Sequence, residues 1–439
     1  MDGVRPRHGG KGQMSVLEID GGTPLRGEVE IPGSKNAALA ILSSVLLSNG
    51  TVALHNVPDV SDTRIKSRLL EKFGAKVALR EGTLFIDAGN VHDGEADEET
   101  VRSIRTSFYL LGPLLARNRK VRIPAPGGCK IGARPVDFHL KGLQLMGASV
   151  ALIDGAYVAE CDQLRGTEIY LDFPSAGATQ HLMSAAVLAE GVTVIQNAAA
   201  EPEITTLASF LNRLGARIEG AGSSTITIQG VQTLSGGEFN VPSDRLQAST
   251  YLLAGAITGG DVKATGIMPD DQTALVNKLR EAGATIEEGS DWVRVAAPNR
   301  LRAIKVKTMP YPGFATDVQQ PMAAALCLAE GTSTVEETIY ESRIGHIPEL
   351  NRMGARMRQE GRLTVINGVD RLQGANVEAS DLRAGAALVI AGLSATGRTN
   401  VRNVHFIDRG YEGFEDKLRS LGATIHRVES LESEKESLT

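Results

Sequence analysis

Aromatic residues make up only 4% of the 439-residue sequence, with a single Trp, so its cores must be built from aliphatic side chains. Cysteine is equally sparse. Cys129, Cys161 and Cys327 are odd in number, far apart and without a C-x-x-C, which excludes a disulfide framework and a zinc knuckle. No run of about 18 apolar residues occurs, so no membrane-spanning helix is expected. An excess of positive charge is missing too: 46 Lys and Arg stand against 52 Asp and Glu, a net charge of -6 that offers no overall attraction for nucleic acid or an anionic membrane. The opening MDGVRPRHGGKGQ has no apolar h-region, and a cytoplasmic location is expected.

What the sequence does have is length and glycine. A single core stops growing near ~250–300 residues, so 439 residues predict two domains. The 48 glycines predict many tight turns. Six of them open one phrase, Gly-Ala-x-aliphatic, at Gly74, Gly147, Gly215, Gly283, Gly354 and Gly422, with spacings of 73, 68, 68, 71 and 68. A glycine there suits the left-handed position that closes a helix, and the β-favouring residue after it begins a strand. A second phrase joins an apolar helix through a turn to an alternating strand, as in LSNGTVALHNV (47–57) and LAEGVTVIQNA (188–198). Each unit therefore reads βαβαββ, too small to cover its own sheet. Six units predict two domains of three. Residues 1–13 and the charged stretch 430–439 read as solvated ends outside the fold.

Four segments carry candidate chemistry. In P-A-P-G-G-C-K-I-G-A-R-P-V-D (124–137), prolines and glycines place Cys129 on a loop beside Lys130 and near Arg134, where a thiol tends towards thiolate; Cys161 and Cys327 read as small packed hydrophobes. In E-I-P-G-S-K-N-A-A-L-A (30–40), a turn feeds a helix that opens with Lys35 and Asn36, a position suited to phosphate or carboxylate or simply to a capped helix. It is not a Walker A loop. In Y-P-G-F-A-T-D (311–317), Thr316 and Asp317 fall where caps are expected, and a carboxylate there serves either as a cap or as a general base. Finally, loop-borne Arg105, Arg134, Arg343, Arg383 and Arg409 are surface charges singly and an anion clamp together.

Taken together, G-S-K-N-A-A-L, P-G-G-C-x-I-G-A-R-P-V-D-x-H, P-S-x-G-A-T, Y-P-G-F-x-T-D, E-x-R, D-L-R-A and H-x-x-D-R-G-Y-E occur in an order that resembles the enolpyruvyl transferase family. The resemblance is to its UDP-N-acetylglucosamine 1-carboxyvinyltransferases and covers about residues 15–428. It implies an α/β fold, the inside-out α/β barrel, with two domains of three βαβαββ repeats. One domain would comprise 14–34 plus 242–429, and the other 35–241 with the Cys129 loop. It implies transfer of the enolpyruvyl group of phosphoenolpyruvate to the sugar 3′-hydroxyl, in peptidoglycan precursor synthesis, with no metal or organic cofactor.

The same resemblance assigns residues. Cys129 matches a proton donor to the phosphoenolpyruvate methylene that can bond covalently to that substrate; Asp317 matches the carboxylate near the 3′-hydroxyl. Lys35 and Asn36 match contacts to phosphoenolpyruvate, as do Arg134 and Arg409, with Arg383 and Asp381 nearby. The uridine nucleotide would lie along Arg134, Pro135, Val136, Asp137, Phe138 and His139, opposite Phe173, Pro174, Ser175, Ala176 and Gly177. Arg105, Ile339 and Arg343 would complete that pocket. This chain departs from the pattern at Gln247 and Ser249, where D-R-I-E-A-G-T is usual, and at Phe173, where some relatives carry lysine. The alternatives are a paralogue, non-catalytic or altered in specificity, that binds another uridine nucleotide, and the shikimate-pathway enolpyruvyl transferase; P-G-G-C-K-I-G-A-R-P-V-D-F-H argues against the latter.

Overall fold

The computed structural model describes residues 14–92, 94, 96–127, 136–297 and 300–430. Within them lie six small sheets, five of four strands and one of three, around helices that are apolar on every side. Residues 168–229 show the repeating order: strand Glu168–Tyr170, helix Ala176–Ala186, strand Val192–Gln196, helix Pro202–Arg213, and the hairpin Arg217–Glu219 with Thr225–Gln229. The two strands flanking the first helix pair in parallel, and the hairpin adds antiparallel partners. Residues 305–367 repeat this order. The sheet of Lys120–Pro124, Ala156–Glu160 and Ser149–Ile153 departs from it, having no parallel fourth strand among the described residues.

The recurrent glycine closes a helix at all six places. Its φ lies between +90° and +108°, a conformation that an L side chain strains to adopt. The amide of the following alanine then reaches back five residues to a leucine carbonyl: Ala75 to Leu70, Ala148 to Leu143, Ala216 to Leu211, Ala284 to Leu279, Ala355 to Leu350 and Ala423 to Leu418, each at 2.9–3.1 Å. This is the six-to-one bond of a Schellman closure. The same six leucines are wholly buried, each burial being worth about 1.5–3 kcal/mol. One short phrase thus ends the helix, satisfies a carbonyl and anchors the core.

Buried apolar residues form two clusters. One draws on Leu17–Ile31 and Leu246–Ile425, the other on Ala37–Val241. The chain passes between them twice, through 31–36 and 241–246, and the two passages bind each other. Ser34 donates its amide to the Pro242 carbonyl at 2.7 Å, and Asp244 donates to that of Pro32 at 2.8 Å. Strand Arg26–Glu30 joins the sheet of Asp261–Thr265, while Gly237–Asn240 joins that of Thr51–His55. The first cluster is therefore closed by chain from both sides of the crossings, whereas the second closes on its own continuous stretch. No helix among the described residues is long and apolar enough to cross a membrane.

Candidate active site

The principal cavity, of about 500 Å³, lies where the two clusters face each other. Five long buried helices begin at its wall, with Lys35, Ala176, Arg245, Thr316 and Leu382 as their first residues; a 3₁₀ turn, Arg105–Leu110, leads a sixth helix away from it. Helix starts expose unpaired N–H groups and a positive dipole end, so the cavity favours anions even before side chains are counted. Ser34, Ser175, Asp244 and Asp381 cap four of these helices through their side chains.

The helix starting at Thr316 is different. Ala315 occupies its cap position, and Asp317 in its first turn makes no cap bond, contrary to the default reading of that segment. Its carboxylate is taken by cations: Oδ1 lies 2.8 Å from Arg343, and Oδ2 lies 3.2 Å from Arg383. Burial by itself would raise this carboxyl, yet the Arg343 and Arg383 guanidiniums outweigh it and hold the group well below the usual carboxylate range. Arg343 also donates to Thr316 Oγ1 at 2.7 Å, which donates to Glu337 at 2.8 Å. Glu337 is buried and further accepts from Thr308 and from the amides of Ile339 and Tyr340. Arg383 donates to the Tyr411 hydroxyl at 3.0 Å, itself 2.8 Å from Thr250.

Arg383 corrects the expectation of a loop-borne charge: it is 2% exposed in the first turn of a buried helix. Arg343 does lie in the turn before the helix His346–Arg352, yet it is only 4% exposed rather than a surface charge. Their chains of hydrogen bonds compensate the burial that an isolated guanidinium would not tolerate.

Lys35 and Arg409 stand on opposite sides of the gap. Asp62 bridges them, 3.3 Å from Lys35 Nζ and 2.9 Å from Arg409 Nε. A second bidentate pair spans the gap, Arg245 Nε to Glu203 at 3.0 Å and Nη2 at 3.2 Å, with the Tyr311 ring 5.7 Å from the guanidinium. Neighbouring Glu201 lines the same cavity, and burial raises its carboxyl. Sequence reasoning missed Asp62, Glu203 and Arg245. Asp62 lies in the first turn of the helix Ser61–Lys72, where an acid reads as ordinary dipole compensation. Only the fold sets it against Arg409, 347 residues away.

Of the residues singled out in the sequence, Lys35, Asn36, Arg105, Val136, Phe138, His139, Phe173–Gly177, Asp317, Ile339, Arg343, Asp381, Arg383 and Arg409 all line this cavity. Asp137 does not; it opens the helix Asp137–Leu145. Cys129, Arg134 and Pro135 lie outside the described residues, between Gly127 and Val136. Cys327 is packed in a core, where burial pushes its thiol up to about 12, and Cys161 is half-buried. No group of three or more His, Cys, Asp or Glu able to hold a metal ion is found among the described residues. Ser249, unusual in its turn, donates to the Arg245 carbonyl and to Gln272, both at 2.8 Å; Gln247 is buried, its amide without a partner.

Residues 19–418 match the EPSP synthase family, 3-phosphoshikimate 1-carboxyvinyltransferase. The chain is 49% identical over 417 residues to UDP-N-acetylglucosamine 1-carboxyvinyltransferase 2 of Carboxydothermus hydrogenoformans, covering 94% of this chain and all of the relative. It is 50% identical over 416 residues to UDP-N-acetylglucosamine 1-carboxyvinyltransferase 1 of Symbiobacterium thermophilum, covering 93% and 94%. Among solved structures, the enolpyruvyl transferase NikO from Streptomyces tendae superposes with a TM-score of 0.87 at 26% identity, over 95% of this chain and all of that one. EPSP synthase from Acinetobacter baumannii shares the fold at a TM-score of 0.73 and 20% identity, over 94% of this chain and all of that one. The chain is therefore a member of the enolpyruvyl transferase family, and within it of the UDP-N-acetylglucosamine 1-carboxyvinyltransferases.

Proposed function

We propose that this protein transfers the enolpyruvyl group of phosphoenolpyruvate to the 3′-hydroxyl of UDP-N-acetylglucosamine, releasing phosphate, as the first committed step of peptidoglycan precursor synthesis in the cytoplasm. The observation that carries this reading is the convergence on one cavity of Lys35 and Asn36 from one side with Asp317, Arg383 and Arg409 from the other. In the finer architecture that goes with it, an inside-out α/β barrel, residues 14–34 plus 242–429 and residues 35–241 are two domains of three βαβαββ units each. The separation of the two apolar clusters near 31–36 and 241–246 supports that division.

The reaction adds the 3′-oxygen to C2 of phosphoenolpyruvate while C3 gains a proton; C3 then loses a proton as the C2–O bond to phosphate breaks. Phosphoenolpyruvate brings up to three negative charges, and Lys35, Arg383 and Arg409 answer them with Arg134. Asp317 takes the hydroxyl proton, and Cys129 supplies the proton to C3. A carboxylate gripped by two guanidiniums is a poor base. An arriving substrate anion that draws Arg383 towards itself loosens that grip and restores basicity to Asp317. Asp62 holds Lys35 and Arg409 in the same way, standing where a substrate anion would compete for them. Arg105, Ile339, Arg343, the segment Val136–His139 and Phe173–Gly177 receive the sugar nucleotide.

A second reading, a paralogue that binds another uridine nucleotide, is favoured by the unpartnered amide of Gln247, which stands where the family carries a carboxylate. Phosphate release measured with phosphoenolpyruvate and, in turn, UDP-N-acetylglucosamine, a second UDP-sugar and 3-phosphoshikimate separates the readings. Turnover with the first acceptor alone is expected. Turnover only with another acceptor, or with none, overturns the proposal.

A further inference from the structure

Behind the cavity wall runs a line of hydrogen bonds that the chemistry above does not use. The backbone N–H of Gly112, in the helix Leu111–Asn118, points at Nε2 of His181 at 2.7 Å. A backbone amide only donates, so this nitrogen must present its lone pair. Burial pushes His181 well below its ordinary value, and His139 and Lys66 act in the same direction. The ring is neutral, and its single proton sits on Nδ1. That atom lies 3.0 Å from Nδ1 of His139.

His139 Nδ1 must therefore accept, and the proton of a neutral His139 sits on Nε2. A cationic His139 would set two N–H groups face to face. The surroundings agree: burial and then Arg105 push His139 down to about 3. Lys66, wholly buried and pushed by that burial well below the usual lysine range, donates to the Thr106 carbonyl at 2.6 Å. Phe108 packs edge-on to the His139 ring at 5.4 Å, and Tyr109 stacks on it at 5.9 Å. The basic groups acting on the two rings, Arg105 and Lys66, both disfavour a charge on them. His139 itself lines the cavity, its Cε1 close to Gly177.

We propose that His181 is a positioning residue that relays the fixed polarity of the Gly112 amide, locking His139 as a neutral ring whose Nε2–H is offered to an acceptor oxygen of the sugar nucleotide. This rests on the proposed reading of the cavity. It adds that recognition at this wall uses a neutral donor, indifferent to pH where a free histidine would titrate. Nothing in the motifs pointed to it: His181 lies in the apolar helix Ala176–Ala186 and reads as core.

The test uses the ring nitrogens directly. In long-range ¹H–¹⁵N spectra of the full-length protein without substrate, assigned with His139→Gln, His139 should carry its proton on Nε2 and not titrate between pH 5 and 8. A proton on Nδ1, or titration near 6.5, overturns the proposal. Calorimetric binding of UDP-N-acetylglucosamine without phosphoenolpyruvate gives the second readout, because its pyrophosphate diester does not titrate in this window. The wild-type Kd should stay within twofold over that range. His181→Leu should weaken binding about fivefold at pH 8, as expected for one lost oriented hydrogen bond, and make Kd vary with pH. His181→Gln keeps one acceptor and one donor and should restore the flat profile. A purely structural role would move Kd without creating pH dependence. Should His181→Leu fail to fold, the wild-type spectra and His181→Gln still decide. Absent phosphate release would remove the proposed function yet leave the ring spectra to stand or fall alone.

Discussion

The two walls of the cavity solve recognition in opposite ways. On one, Asp317, Arg343 and Arg383 are charged, buried and mutually paired. On the other, His139 and His181 are neutral and joined by directional hydrogen bonds that end on a backbone amide. Paired charges can be redistributed when an ionic substrate arrives, which suits a wall where protons must move. A neutral chain with fixed polarity does not respond to charge, which suits recognition rather than proton transfer. The lesson is that burial alone does not assign a chemical role; the partner that compensates the burial does.

The comparison can be broken at several points. The largest expected effect is all or none: Cys129→Ser should abolish covalent labelling by the epoxide fosfomycin, the family's inhibitor, while Cys161→Ser and Cys327→Ser retain it, as read by intact-protein mass spectrometry. Labelling that survives in the Cys129 variant would overturn the thiol assignment. Next, Asp317→Asn should lower phosphate release by roughly 10²–10⁴-fold, the usual range for a general base, while the sugar nucleotide still binds. Unchanged turnover would assign proton removal elsewhere.

Smaller in size but sharper is the pH dependence of stability. Burial lowers the folded pKa of His139 to about 3 and that of His346 to about 4. A base whose folded pKa lies below its unfolded value of ~6.5 stabilises fully above that value and loses its contribution as pH falls towards the folded one. The unfolding free energy from urea titrations should therefore drop between pH 6.5 and 4, by up to about 1.4 kcal/mol per pH unit for each such ring. Asp317 has the opposite chemistry and a different window: its folded carboxyl lies below the unfolded one, so its contribution is present above about pH 4 and fades only beneath it. His139→Gln should flatten part of the first slope and leave the second. An unchanged first slope would show that this ring already titrates freely in the folded protein.

Much of this was legible in the chain. The Gly-Ala-x-aliphatic phrase marked six helix ends because a left-handed residue and the strand after it are local demands, met by neighbours in sequence. Lys35 and Asn36 were legible as a helix opening for the same reason; Ser175 and Asp381, which cap two other helices, were not. Asp317 was half legible: its place at a helix opening was right, but the cap reading failed, since it lies in the first turn and its partners arrive from Arg343 and Arg383, 26 and 66 residues on. Asp62, the Arg245–Glu203 pair and His181 carried no signal of their own, since an acid, an arginine and a buried ring each have a commoner explanation.

By itself, then, the sequence determined the period of the repeat, where helices stop, and which residue types stand at helix openings, because short-range sterics and hydrogen bonds decide those. Only the tertiary structure decided which charges meet, which arginines are buried and which nitrogen of His139 holds the proton. Those depend on distances between segments tens to hundreds of residues apart, and on the loss of water around them, which no local pattern encodes.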